Sequence, residues 1–424
     1  MLSTAVPDGQ AAMLTSGCNA IVVVQAWAIS FPVPPSDRVN LDVGRTLKLD
    51  AVVVDVTTDD GIVGWGESHH GPTHLSIAHL VTHALRPMVL GMDATEFQGV
   101  WYRIYSRQLA SQGIGASCTI AMGGIDVALW DICAKGAGWP LYKLLGGASK
   151  PIAAYAGGGA LGWQDLPAQV DEAAAQVQAR YKAVKLRLSD MAEQDVARVA
   201  TVREAFGNDL EILVDVNATY TLADARRAIP RLNKLDVGWL EDSFPAHDYL
   251  SYELARAFGR LPFAAGKNHC TRFEFSRLVE EHVVSIVQLD LAKTGGITEI
   301  MPIAMLASAY ELPIHLHSSM TGTNMATTLH VLAAIDGNGY FEADVSRGNL
   351  FRDKLTPTLF AIGADGCVRP SDRSGIGVEV NETFLGALGH RGPGLCLTPR
   401  SCTHREKNLL RARPCKAPGA DARF

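Results

Sequence analysis

From residue 19 the chain runs through apolar stretches broken by turn signals. IVVVQAWAISF begins at 21, KLDAVVVDVTT at 48, and IVGWGES follows an Asp59-Asp60-Gly61 turn. β-Branched residues fill the first two runs, and Asp-Gly between apolar segments marks a hairpin, so these runs are predicted strands. Between 73 and 145 the period changes. THLSIAHLVTHALRPMVLG and ASCTIAMGGIDVALWDICAKGAGWP place apolar residues three and four apart, the spacing of helices with a buried face. Residues 19–148 therefore read as an α+β unit.

Beyond it, short apolar runs alternate with amphipathic stretches of helical length. The runs are IAAYAG, AVKLRL (183–188), EILVDVN (211–217), GWLED (238–242), PFAAG (262–266), SIVQLD (285–290), LPIHLHS (312–318) and YFEAD (340–344). Eight β/α units over 149–354 predict an α/β domain of the modified TIM-barrel type, (β/α)7–8. A doubly wound open sheet is the rival, but no Gly-rich phosphate turn follows the first run. Residues 355–387 read as a β-rich return packing on the first unit.

Composition adds the class. Hydrophobic residues make up 47% and charged residues 19% of 424 positions, enough apolar surface for a large core. No apolar run of 18 residues stands out and no basic-then-apolar leader opens the chain, so neither a membrane span nor a secretory signal is expected. The net charge of −6 is uneven. The stretch 388–424 holds eight Lys/Arg against two acids and lacks sustained periodicity, so it reads as a disordered basic tail. Residues 1–18 read as a loose extension. The acidic body argues against nucleic acid or an anionic membrane as partner. None of the eight cysteines forms a C-x-x-C pair, as suits reduced thiols in a cytoplasmic enzyme.

The predicted strands end in polar residues. In order these are Lys185 and Arg187, Asp215 and Asn217, Glu241 and Asp242, Lys267 and Asn268, Asp290 and Lys293, His315 and His317, and Glu342. Chemistry in such a barrel sits at the C-terminal strand ends. Period two turns Lys185 and Arg187 to the same side. Asp215, Glu241 and Lys267 are spaced by 26 residues each, which sets them level on consecutive strands. Two carboxylates at one level need a cation between them, and Mg²⁺ is the default for hard oxygen ligands. His315 lies two residues before His317, a layer deeper, and reads as a hydrogen-bonded core histidine.

These motifs resemble the mandelate racemase/muconate lactonizing group of the enolase superfamily over roughly residues 19–387. The resemblance rests on K-L-R (185–187), V-D-V-N (214–217), W-L-E-D (239–242), A-A-G-K-N (264–268), Q-L-D-L-A-K-T-G-G-I-T-E (288–299), P-I-H-L-H-S (313–318) and F-E-A-D (341–344). G-W-G-E-S (64–68) and G-I-D-V-A-L-W-D (124–131) resemble that group's capping domain. The resemblance implies removal of a proton α to a carboxylate, with one Mg²⁺ per subunit stabilising the enediolate. It implies Asp215 and Glu241 as metal ligands, with Asn217 as a possible further one. Lys185 would hold the substrate carboxylate, with Asn268 and Lys293 beside it. Glu342 would bond a carboxylate oxygen, and His317 with Asp290 would be the acid/base dyad.

Two positions depart from the family pattern. Its second lysine of K-x-K is Arg187 here, a poor base because it stays protonated, so a second base for racemisation is missing. One dyad suffices for a syn β-elimination, which favours dehydration of an aldonate or aldarate over epimerisation or cycloisomerisation. The family's third ligand is the acid of a G-E-N motif, and this chain has Gly266-Lys267-Asn268. Either Lys267 swings outward and metal binds through the remaining oxygens, or its ammonium stands in the metal's place. In the second case a homologue that binds carboxylates without turnover is the alternative. A homo-oligomer is expected. Substrate choice is expected from capping loops 29–47 and 67–74, which hold His69, His70 and His74.

Overall fold

The computed structural model describes residues 19–41, 44–113, 115–188, 191–337, 339–357 and 360–391. The stretches 1–18 and 392–424 lie outside the described residues, as do positions 42–43, 114, 189–190, 338 and 358–359.

The first unit is an antiparallel sheet backed by helices. Strands β1 (Ile21–Pro32), β2 (Lys48–Thr58) and β3 (Val63–His70) pair as a meander. The inner face of β1 and β2 (Val24, Ala26, Val52, Val54, Val56) packs on helix α1 (Ala116–Gly136) and on the helical run from His74 to Val89. By length and composition α1 is apolar enough to cross a membrane, which corrects the expectation that no such run exists. Its apolarity has another cause: it is clamped between this sheet and the second unit, with 72% of its apolar window buried. Gly64 and Gly66 of β3 let the strand lie against α1, since a Cβ there would meet the Ala128 and Gly124 carbonyl oxygens at 2.0 and 2.1 Å.

The second unit is a ring of parallel strands. β4 (Ile152–Gly157), β5 (Ala183–Arg187), β6 (Glu211–Asp215), β7 (Val237–Glu241), β8 (Phe263–Ala265) and β9 (Ile286–Val287) follow one another in space as in sequence. The seventh predicted strand appears as single bridges, Val287↔Ile314, Asp290↔His317 and Leu316↔Phe341. The eighth, β10 (Phe341–Asp344), pairs with β4 and closes the barrel. The lower interior is filled by Tyr155, Ala183, Leu213, Trp239, Ala264 and Ile286, with Tyr340 against them. A packed floor leaves the mouth above it for chemistry.

The return stretch touches both units. Short strand β11 (Cys367–Val368) runs antiparallel to β4, while Ile376 donates its N–H to Asp131 of α1 at 2.8 Å. Residues 389–391, placed in the tail by the sequence reading, form strand β12 (Gly389–Arg391) on the free edge of β1. The edge N–H and C=O groups of β1 attract any extended segment that follows, whatever its composition.

Candidate active site

Lys185 and Arg187 point into the barrel from β5, as period two requires. Lys185 is fully buried, and its Nζ lies 3.0 Å from both Glu241 oxygens and 2.8 Å from Glu342 Oε1. Arg187 bonds Asp215 Oδ2 through Nη1 and donates Nη2 to the Gly158 carbonyl at 2.5 Å. Asp215 Oδ1 accepts from the backbone N–H of Asn217 at 2.8 Å, so Asn217 meets the cluster through its main chain. Its φ of +45° turns the chain back at the strand end.

Lys267 points inward. Its Nζ lies 2.8 Å from Asp215 Oδ2, 2.6 Å from Glu241 Oε1 and 3.1 Å from Asp242 Oδ2. Asp242 follows Glu241 directly and in a regular strand would face away. Its φ of +42° brings both acids to the same side. Sequence reasoning counted Asp242 among the strand ends but gave it no role. The Glu-Asp dipeptide was the available signal, and left-handed backbone at Asp is tolerated better than at most residues. Gln288, also left without a role, donates Nε2 to Glu241 Oε2 at 3.1 Å, two residues before Asp290 on the same face.

Charge in this cluster is set by burial against pairing. Burial would lower the Lys267 ammonium, but Asp215, Asp242 and Glu241 hold it well above its ordinary value. Burial would raise Glu241, but Lys185 and Lys267 hold it well below the usual carboxylate range. Glu342 is held down in the same way, first by Lys185 and then by His317 and Arg187. Asp242 is the exception, with burial pushing its carboxyl up despite Lys267.

Across the mouth, His317 Nδ1 lies 2.6 Å from Asp290 Oδ2. Asp290 Oδ1 accepts from Ala292 N–H at 2.8 Å, because Asp290 caps the short helix Leu291–Thr294, and this fixes the carboxylate. With Nδ1 donating to Asp290, Nε2 is the basic nitrogen, and it faces Glu342 Oε2 at 3.7 Å. His315 lies one layer down. Its Nδ1 accepts from Tyr340 N–H at 2.8 Å, and burial pushes its pKa to about 4.

The remaining expected residues line the rim. Asn268 is exposed and donates to Asp242 Oδ2 at 3.0 Å, and Lys293 reaches Asn268 Oδ1 at 3.5 Å. Burial pushes the Lys293 ammonium below its ordinary value. The capping unit closes over the mouth at two points. Asn40 accepts from Trp163 N–H at 2.8 Å, and Glu67 accepts from Thr321 Oγ1. Burial holds the Glu67 carboxyl well above the usual range, and Asp290 adds to this. His74 lies 3.7 Å from Asp50 within the capping unit. The side chains of His69 and His70 lie outside the description.

The carboxylate oxygens of Asp215, Glu241 and Asp242 lie within 4.8 Å of one another, close enough to hold a metal ion. With the Lys267 ammonium touching all three, the residues as they stand do not fit a divalent cation. They offer the right donor set around a position already filled.

Comparison with known proteins identifies the family. Residues 20–146 match the mandelate racemase/muconate lactonizing enzyme N-terminal domain, and residues 168–384 match the enolase C-terminal domain-like family. An arabinonate dehydratase of Saccharolobus solfataricus is 32% identical over 79% of this chain and 89% of its own length. A D-galactarolactone cycloisomerase of Agrobacterium fabrum is 30% identical over 79% of this chain and 90% of its own. Among solved structures, an enolase superfamily member from Polaromonas sp. JS666 is 45% identical, covers 89% of this chain and 100% of its own, and superposes with a TM-score of 0.84. A racemase from Streptomyces coelicolor A3(2) with bound magnesium is 26% identical, covers 87% and 100%, and has a TM-score of 0.79. A barrel with this strand-end constellation, under a matching capping unit, belongs to the mandelate racemase/muconate lactonizing group of the enolase superfamily.

Proposed function

We propose that this chain is a hydro-lyase of sugar acids, acting on an aldonate or aldarate by removal of the α-proton. The observation that carries the reading is the His317–Asp290 pair at 2.6 Å, with Nε2 turned into the mouth beside Glu342. Asp290 fixes the tautomer and stabilises the imidazolium that forms on proton transfer. The α C–H bond breaks as Nε2 takes the proton, and the electron pair moves into the carboxylate to give an enediolate. The enediolate collapses to a C=C bond while the C–O bond to the β-hydroxyl breaks. His317 returns its proton to that oxygen, which leaves as water, and the enol product becomes a 2-keto-3-deoxy acid.

The positive potential for this step comes from Lys185, Arg187 and Lys267, all buried at the mouth. In the family Mg²⁺ supplies that charge, at the position Asp215, Glu241 and Asp242 surround here. Arg187 is committed to Asp215 and Gly158 and is no base for the opposite face, which disfavours epimerisation. The arabinonate dehydratase relative supports this reaction class, and the cycloisomerase relative supports the alternative, which product analysis separates.

The test is a panel of aldonates and aldarates incubated in heavy water, read for 2-keto-3-deoxy products and for α-deuterium. Turnover or exchange is expected on at least one acid. His317→Asn is expected to lower both by roughly 10²–10⁴-fold. Exchange that survives this substitution places the base elsewhere and ends the dyad assignment.

A further inference from the structure

Lys267 carries three N–H donors, and the structure gives it three carboxylate partners, at 2.8, 2.6 and 3.1 Å. The match in number is complete, and the side chain is only 6% exposed. Its entry into the mouth is built into the backbone. Gly266 turns at φ +144°, where a Cβ would meet the Gln288 carbonyl oxygen at 2.5 Å. No other residue fits that close approach, and the turn aims the following side chain at Asp215 and Glu241.

The carboxylates hold little in reserve for another cation. Asp215 Oδ1 accepts from Asn217 N–H, and Oδ2 from Arg187 and Lys267. Glu241 Oε1 accepts from Lys185 and Lys267, and Oε2 from Lys185 and Gln288. Asp242 Oδ2 accepts from Lys267 and Asn268. A six-coordinate Mg²⁺ with ligands near 2.1 Å would have to break several of these bonds and sit against an ammonium.

The charge count points the same way. With its carboxylates ionised, the cluster sets Asp215, Glu241, Asp242 and Glu342 against Lys185, Arg187 and Lys267, a net of one negative charge. The family arrangement, an acid at 267 with a divalent ion, would set five carboxylates against two side-chain cations and the ion. That net is again one negative charge. Exchanging an acid for a lysine adds two positive charges at one position, the charge of the ion it displaces.

We propose that the Lys267 ammonium replaces the divalent ion in this chain, so that the strand-end cluster is complete and carries the same net charge without metal as the family arrangement carries with it. The inference concerns cation occupancy and holds whether or not the proton chemistry proposed above is correct.

The experiment uses the full chain stripped with a chelator, titrated with Mg²⁺ and separately with Mn²⁺, and read by calorimetry and by melting temperature. Wild type is expected to show no saturable binding and no shift in melting temperature at millimolar ion. Lys267→Glu is expected to bind one ion per chain and to melt several degrees higher with ion than without. Lys267→Gln, which leaves the three carboxylates without their counter-charge, is expected to melt below wild type in chelator and to regain stability with Mg²⁺. Should the glutamate variant fail to fold, the glutamine variant decides the outcome alone. Stoichiometric Mg²⁺ binding by wild type overturns the proposal, as does the absence of any ion-dependent gain in the variants that fold. None of these readouts requires substrate, so a failure of the hydro-lyase reading leaves them unchanged.

Discussion

The two sides of the barrel mouth use the same strand-end geometry and treat charge in opposite ways. On β5 to β8, Lys185, Arg187 and Lys267 are each locked to carboxylates of neighbouring strands at hydrogen-bond distance. On the opposite side, Asp290 engages one nitrogen of His317 and leaves the other turned toward the mouth. The first side depends on mutual compensation among buried ions, so removing any member exposes its partners to a low-dielectric interior. The second side depends on orientation of a single ring. A cation position tolerates a change of chemical identity as long as its charge is kept. A proton-transfer position, the role proposed for His317, needs one nitrogen at one place, and the bond to Asp290 holds the ring there.

The largest effect expected on this contrast is on stability. Lys185→Met keeps much of the stem volume and removes the ammonium from Glu241 and Glu342, both fully buried. Leaving buried charge uncompensated costs about 3–5 kcal/mol, and urea denaturation at neutral pH is expected to show a loss of that size. A loss below about 1 kcal/mol would mean the cluster relaxes freely, and the contrast between the two sides would collapse.

Glu342 joins the sides, since it lies 2.8 Å from Lys185 and 3.7 Å from His317. Its carboxyl is held well below its ordinary value against the effect of burial, by Lys185 first. A carboxylate depressed in the folded state contributes stability that is fully present above its unfolded pKa, about 4.3, and is lost as pH falls below it. Wild type is therefore expected to lose stability steeply on acidification through that range. Glu342→Gln is expected to be less stable at pH 7, by roughly 1–3 kcal/mol, and to show a shallower acid limb. Parallel acid limbs in the two proteins would remove Glu342 from the compensated cluster.

The contrast also explains what could be read from the chain. Strand positions were legible because buried parallel strands are short apolar runs, and the level of Asp215, Glu241 and Lys267 followed from equal spacing. The hydrogen bond between His317 and Asp290 was legible because they are strand-end residues on adjacent segments, while their acid/base role came only from the resemblance. Asp242 as a cluster member was not legible, since its inward turn comes from a left-handed φ that period two does not anticipate. The direction of Lys267 was left open between two arrangements, because a long flexible side chain has no periodicity of its own. Strand β12 was hidden because its pairing is dictated by the edge of β1, not by the polar sequence of 389–391. The apolarity of α1 was a domain interface, which only the second unit makes visible.

The smallest expected effect separates the two histidines of the seventh segment. His315 and His317 point the same way, but His315 lies against Trp239 and Tyr340 in the barrel floor and accepts the Tyr340 N–H. Burial pushes its pKa down to about 4, from an unfolded value near 6.5. Between those values the unfolded chain binds a proton that the folded chain refuses. The contribution of neutral His315 is therefore fully present above pH 6.5 and is lost as pH falls toward 4, by at most roughly 3 kcal/mol. His315→Asn keeps an acceptor near the position of Nδ1 and has nothing to protonate. At pH 7 it is expected to cost about 1 kcal/mol. As pH falls from 6.5 to 4 the gap to wild type should close and then reverse. His269 and His330 are also pushed to about 4 by burial, but they remain in both proteins and cancel in the difference. Because His315 lies below the mouth, α-deuterium exchange at pH 7 should stay within a few-fold of wild type. A stability gap that is constant with pH, or a loss of exchange as deep as that of His317→Asn, would place His315 in the mouth with His317.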